Sequence, residues 1–191
     1  HGVLIRYDDG IVHSCAVPRR HQHAPVAGPN WVAWIEERPG ARVGRVIVTD
    51  VEHCRTPENH RARLLAGTIP GQSGLHRAGD IPVWLLQTPD GETLLRSWRH
   101  REPGGEPESF TLGPESGTPT EINAHRNRVA LVLYRNRSPR FTLEVVHLGR
   151  RQVRPIATIG NVHHPTLTDR YILWSQGGGA TGWEVRYDTL D

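Results

Sequence analysis

The chain has 191 residues, enough for one compact domain or an array of small repeats. A hydrophobic content of 36%, with 20 Gly and 15 Pro, favours many short strands over long helices, and no apolar run approaches the roughly 18 residues that cross a bilayer. All 23 basic residues are Arg, against 20 Asp and Glu, and the formal charge of +3 permits weak attraction to acidic partners without demanding it.

From the N-terminus, "HGVLIRYDDG" lacks the basic-then-apolar shape of a signal peptide. No Met occurs anywhere, position 1 included, so a processed product or a piece of something longer is expected. The all-Arg usage fits a GC-rich coding sequence; a selected anion-binding surface is the alternative, since Arg grips carboxylate and phosphate bidentately. Two short apolar runs, 3–7 and 11–17, precede Pro18-Arg19-Arg20-His21, a basic run too small to argue nucleic-acid binding and read as a solvated loop. Cys15 and Cys54 are the two cysteines. Two cysteines make no disulfide framework, and a bridge needs Cα atoms within about 7 Å, so unpaired thiols are expected and a bridge stays open.

Further along, the chain repeats itself. "WVAW" ending at Trp34, "IPVW" at Trp84, "RVAL" at Leu131 and "YILW" at Trp174 are alike. Each leads through Pro-Gly, Asp-Gly, Ser-Pro or a Gly-rich turn into a second alternating run, such as Val46 and Val48 or Leu143 and Val145. A short segment precedes each anchor, around Val26, Leu75, Ile122 and Leu167, and a fourth follows at 61–69, 108–114 and 151–159. Four strands in a repeat of about 45 residues are the pattern of a β-propeller blade, in which each sheet buries its faces only against its neighbours. A β-sandwich also strings short strands between turns, but lacks this agreement between units. The expected fold is therefore all-β, a β-propeller of four-stranded antiparallel blades forming an incomplete ring or segment. A partial blade at 1–20 precedes blades at 21–70, 71–115 and 116–160, and a second partial blade occupies 161–191.

These runs, an apolar strand ending in Trp, then a turn, then an alternating strand ending in Asp, resemble the blades of TolB-type and WD-repeat-like bacterial propellers. The Ser-Pro-Asp-Gly turn of that family is missing, and "TPDG" at 88–91 falls on the following hairpin instead. The resemblance implies the fold, binding of proteins or ligands, and a secreted or cell-envelope setting; it carries no site residue across.

At the two ends, "RYD" at 6–8 echoes "RYD" at 186–188, which aligns Asp8, Asp50, His100, His147 and Asp188 as third-strand ends. Seventeen strands result, grouped two, twelve and three. An unclosed array exposes strand edges that invite pairing with a partner or with another copy.

Candidate chemistry is sparse. Asp80, Glu121 and Asp169 lie near inner strands of successive blades and are the acid/base candidates for hydrolysis, which needs two carboxylates about 5–10 Å apart; the competing reading makes them turn residues or strand-end caps. His76 and His164 are candidate ligand contacts beside them. His21 and His23 share one side of an extended segment, and His163 with His164 opens the last blade; both pairs are weak metal candidates because nothing nearby completes three or four ligands. Trp34, Trp84 and Trp174 share a blade position and belong in the core, whereas Trp31, Trp98 and Trp183 fall outside that register and are the candidates for an exposed binding surface. No cofactor-binding motif is present; "QGGGATG" at 176–182 is a hairpin turn, not a phosphate loop. The sequence favours a non-catalytic scaffold binding a protein or small ligand through channel-mouth loops. The alternative is a hydrolytic propeller or the gating propeller of a larger enzyme.

Overall fold

The computed structural model describes residues 4–6, 10–15, 20–40, 44–54, 63–67, 74–88, 92–98, 107–112, 117–136, 140–156, 160–177 and 182–190. Apart from one 3-10 turn at Val51–Cys54, their regular structure is antiparallel strand, and no helix among them is long and apolar enough to cross a membrane. Strands β1 (Leu4–Arg6) and β2 (Val12–Ser14) form a pair. The next sheet is β3 (His21–Ala27), β4 (Trp31–Glu37), β5 (Arg45–Asp50) and β6 (Arg63–Gly67), in that spatial order. The same meander recurs in β7 (His76–Ala78), β8 (Ile81–Gln87), β9 (Thr93–Ser97) and β10 (Glu108–Thr111), and in β11 (Thr118–His125), β12 (Arg128–Tyr134), β13 (Phe141–His147) and β14 (Gln152–Ile156). A three-stranded sheet of β15 (Asn161–Leu167), β16 (Tyr171–Gly177) and β17 (Trp183–Thr189) follows. Consecutive four-stranded meanders are propeller blades, the fold expected from the repeat.

The repeat is visible atom by atom. Each second strand is seven residues long, and its fourth residue is Trp34, Trp84, Leu131 or Trp174. After the third strand the chain is pinned to the first hairpin in the same way in three blades. The N–H groups of Val51, Leu148 and Leu190 donate to the carbonyls of Asn30, Asn127 and Arg170. The pairing register also corrects one alignment. Trp31 faces Asp50, Arg128 faces His147 and Tyr171 faces Thr189, so the counterpart of Asp50 is Thr189 and not Asp188. The "RYD" echo misled because its aspartate falls one residue short of the pairing register.

The chain divides into two compact units, His1–Gln87 with Arg96–Glu108, and Thr88–Leu95 with Ser109–Asp191. In the first, the face of β4 and β5 turned away from Trp34 (Ala33, Ile35, Val46, Val48) shares a core with Leu75, Trp84 and Trp98. In the second, the matching face of β12 and β13 (Ala130, Val132, Leu143, Val145) shares a core with Val162, Ile172 and Trp174 of the last sheet. One rule covers both: the face beside the anchor residue receives the anchor face of the next sheet, and Ala sits at the same position in each receiving face.

Two expectations are corrected in the first unit. Cys15 and Cys54 are not unpaired thiols but a disulfide, with Cα atoms 5.3 Å apart and both residues buried beside Val32, Trp34 and Ile47. Pairing of residues 39 apart depends on tertiary approach, which cysteine number cannot report. Trp31 and Trp98 are not surface residues; they are 2% and 5% exposed and belong to the core around Trp84. The Trp31 indole N–H is satisfied by the Asp80 carbonyl at 3.1 Å, which is how a tryptophan outside the anchor register is buried without an orphaned donor.

Candidate functional site

The residues that converge on one place belong to the second unit, at the start of β15. A strand normally sends neighbouring side chains to opposite faces. Here the ladder skips from the His163–Ser175 pair to the Thr166–Leu173 pair, leaving His164 and Pro165 opposite Trp174 alone. His164 takes a left-handed conformation, φ 54°. This bulge brings two consecutive imidazoles to one cavity, their ring centroids 6.0 Å apart. β3 has the same irregularity between His23 and Val26, with Ala24 at φ 49°. A His-x-Pro sequence, His23–Pro25 and His163–Pro165, stands eleven residues ahead of Trp34 and of Trp174 in the two cases. That spacing was a readable signal of the device, and strand periodicity alone overlooks it.

Strand β11 of the preceding blade supplies the support. Glu121 Oε1 accepts from His163 Nδ1 at 2.7 Å, and Oε2 accepts the His164 backbone N–H at 2.6 Å. Two residues on, Asn123 Oδ1 accepts the Leu167 N–H at 3.1 Å, and two further on His125 Nε2 meets Asp169 Oδ1 at 2.7 Å. Alternate residues of one strand thus stitch one inner strand to the next. With Nδ1–H given to Glu121, the other ring nitrogen of His163 has no partner among the described residues. The ring itself lies between Phe141 and Trp183, with centroids 5.5 and 5.4 Å away. His163, His164, Ser175 and Trp183 line a cavity of about 440 Å³.

From this cavity an open face runs along the sheet. Trp183, Val185 and Tyr187 alternate on one side of β17 and are 55%, 73% and 70% exposed, and Tyr187 packs edge-on against Tyr171 of β16. Glu184, Arg186 and Asp188 take the other side, where Arg186 pairs with Glu184 and Arg154 with Asp188. The charges of β17 are therefore segregated from its aromatic face.

A second cavity, about 480 Å³, lies at the opposite end of β15 and is lined by His125, Leu167, Thr168, Asp169, Arg170 and Tyr171. The hydrogen bond from His125, with the Arg126 and Arg128 guanidiniums nearby, holds the Asp169 carboxyl below its ordinary range. A depressed carboxylate pKa contributes stability above the unfolded value that is lost as pH falls through the native one. Asp169→Asn is therefore expected to flatten the acid limb of stability against pH below about pH 4. Urea midpoints of parent and variant over that range check this, and parallel acid limbs would refute it.

The other candidates are dispersed. Asp80 sits in the β7–β8 hairpin of the first unit, its carboxylate 3.6 Å from Arg77. Its carbonyl takes the Trp31 indole just as the Asp169 carbonyl takes Arg128 Nη1 at 2.9 Å. Both aspartates are hairpin residues, although Asp169 stands one position further from its anchor than Asp80 does. Glu121 binds His163 and His164 within β15, Asp169 lies in the hairpin beyond it beside His125 and Arg126, and the two share no partner. His76, which begins β7, is partly buried, and that burial lowers its pKa. His21 and His23 are exposed on β3, and His23 Nε2 lies 3.1 Å from Glu37. Among the described residues no three His, Cys, Asp or Glu side chains converge in a way that could hold a metal ion.

No family model matches the chain, and no curated protein matches it. Among solved structures it is similar to a chain from a study of two prolyl endopeptidases, whose subject is inter-domain dynamics in catalysis and specificity. The TM-score is 0.60 at 10% identity, over 88% of this chain and 28% of that one. This chain thus spans little more than a quarter of that protein. At such identity the likeness speaks for the fold alone, and with the repeated meanders it makes the chain a β-propeller.

Proposed function

We propose that this chain is a non-catalytic propeller scaffold that binds its ligand at the His163–His164–Ser175–Trp183 cavity. One observation carries the reading: the bulge in β15 brings two imidazoles, with Ser175 and Trp183, to one cavity of about 440 Å³. The carboxylates support binding over hydrolysis. Glu121 has an oxygen committed to each of two N–H donors, and Asp169 is hydrogen-bonded to His125 and ion-paired with Arg126. The likeness to a prolyl endopeptidase supports a second reading, the gating propeller of a larger hydrolase.

Turnover assays with chromogenic ester, peptide and glycoside substrates test this. The expected result is no hydrolysis above buffer, for the parent and for Glu121→Gln alike. Glu121→Gln is expected instead to cost about 1–2 kcal/mol in urea unfolding, because it weakens two charge-assisted hydrogen bonds between blades. Hydrolysis that rises with protein concentration and disappears in Glu121→Gln would overturn the scaffold reading.

A further inference from the structure

Arginines that the cavity reading leaves unused gather at the other end of β15. Three hairpins meet there, β11–β12 at 125–128, β13–β14 at 147–152 and β15–β16 at 167–172. The Leu148 N–H donates to the Asn127 carbonyl at 2.8 Å, and Arg128 Nη1 donates to the Asp169 carbonyl at 2.9 Å, so the three form one continuous rim. Blades stack through their sheet faces, which leaves hairpin ends such as these open to solvent.

The rim is strongly basic. Its hairpins carry Arg126, Arg128, Arg150, Arg151 and Arg170 against a single carboxylate, Asp169. Alongside, Arg154 and Asp188 pair with each other at 2.7 Å and cancel. Arg128 spends its donors on the Asp169 and Leu190 carbonyls, so its charge stays uncompensated; the other four side chains are exposed. Among the described residues, the guanidiniums of Arg150 and Arg170 have no hydrogen-bond or ion-pair partner. The excess charge acts on its neighbours: burial lowers the His147 pKa, and the Arg150 and Arg128 guanidiniums lower it further. A coding bias explains why each basic residue is Arg, but it does not place five of them around one carboxylate.

The same hairpins show which anion suits them. Asp169 is held by Arg126 at 2.8 Å and by His125 at 2.7 Å, so a carboxylate is already gripped here through paired donors. A single nucleic-acid strand would call for aromatic side chains between the arginines, and the one aromatic of these hairpins, Tyr171, packs edge-on against Tyr187. The cavity of about 480 Å³ lined by His125, Asp169 and Arg170 gives a partner's side chain room to enter.

We propose that this rim docks an acidic polypeptide segment, whose Glu and Asp carboxylates pair with Arg150 and Arg170 and compete with Asp169 for Arg126. The site goes beyond the His163–His164 cavity and does not rest on it.

Fluorescence anisotropy tests the proposal with a labelled peptide of alternating Glu and Gly, the same peptide with Gln for Glu, and short DNA, single-stranded and duplex. The Glu peptide is expected to bind at low salt and to be released near about 1 M salt, where the screening length falls to about 3 Å. Arg150→Gln and Arg170→Gln should each weaken it by up to about fivefold, the upper range for one exposed ion pair, and the double variant by about tenfold. Asp169→Asn should strengthen it by a similar factor, because the competing carboxylate is gone and Arg126 is released. Opposite signs from neighbouring residues are a result that a merely structural role would not give. Arg140→Gln, in the β12–β13 hairpin, should change nothing. Near-UV circular dichroism confirms that each variant keeps its fold. No binding of the Glu peptide, equal binding of the Gln peptide, tighter binding of either DNA, or an equal loss in Arg140→Gln would overturn the proposal and leave the cavity reading intact.

Discussion

Cys54→Ser, or reduction of the native protein, is expected to lower the unfolding free energy by about 3–4 kcal/mol. The bridge joins the end of β2 to the 3-10 turn after β5, so it closes a loop of 39 residues that contains β3, β4 and β5. Opening that loop returns conformational freedom to the unfolded chain. It also places two thiols in a buried cluster where the sulfurs had been packed against Trp34 and Ile47. Urea unfolding with and without reductant measures the effect, with Cys15→Ser as a check that the loss belongs to the bridge. A reduced protein within about 1 kcal/mol of the oxidised one would show that the native state gains little from the link.

The second large effect belongs to Trp84. Its side chain is fully buried, and it joins Ala33, Ile35, Val46 and Val48 of one sheet to Leu75 and Trp98. Truncation to Ala leaves a cavity bounded by strands whose backbone ladders resist collapse, at an expected cost of about 3–5 kcal/mol. The indole N–H of Trp84 has no partner among the described residues, so Trp84→Phe forfeits no hydrogen bond and is expected to cost much less than Trp84→Ala. Trp31→Phe makes the contrast, since it leaves the Asp80 carbonyl without its indole donor. Equal costs for Trp84→Ala and Trp84→Phe in denaturant unfolding would refute lost packing volume as the main source.

Most of the fold was legible in the sequence because a blade is a local object. The Trp34, Trp84, Leu131 and Trp174 anchors, the alternating runs after them and the turn residues between are all set within about 45 residues. The strand grouping of two, twelve and three follows from that spacing among the described residues. The site was legible only in fragments. His163 and His164 stood out as a pair and Glu121 as an acid/base candidate, but that the Glu121 carboxylate bonds both histidines was not readable. The missing link is lateral contact: Glu121 and His163 are 42 residues apart and meet because one inner strand lies beside the next. The aromatic row of Trp183, Val185 and Tyr187 was written in plain alternation, yet alternation reports which residues share a side, never whether that side is covered.

The three tryptophans outside the anchor register show where sequence ends and tertiary structure begins. By itself the sequence determined the period, the strand order and the core role of the anchor residues, since these follow from backbone pleat and turn chemistry acting over a few residues. Tertiary structure alone decided that Trp31 and Trp98 are buried while Trp183 is open, that Cys15 and Cys54 are bonded, and that two histidines of a bulged strand share one cavity. The physical reason is common to all three: burial, disulfide formation and site assembly depend on which sheet comes to lie against a given face, and that approach joins residues tens of positions apart.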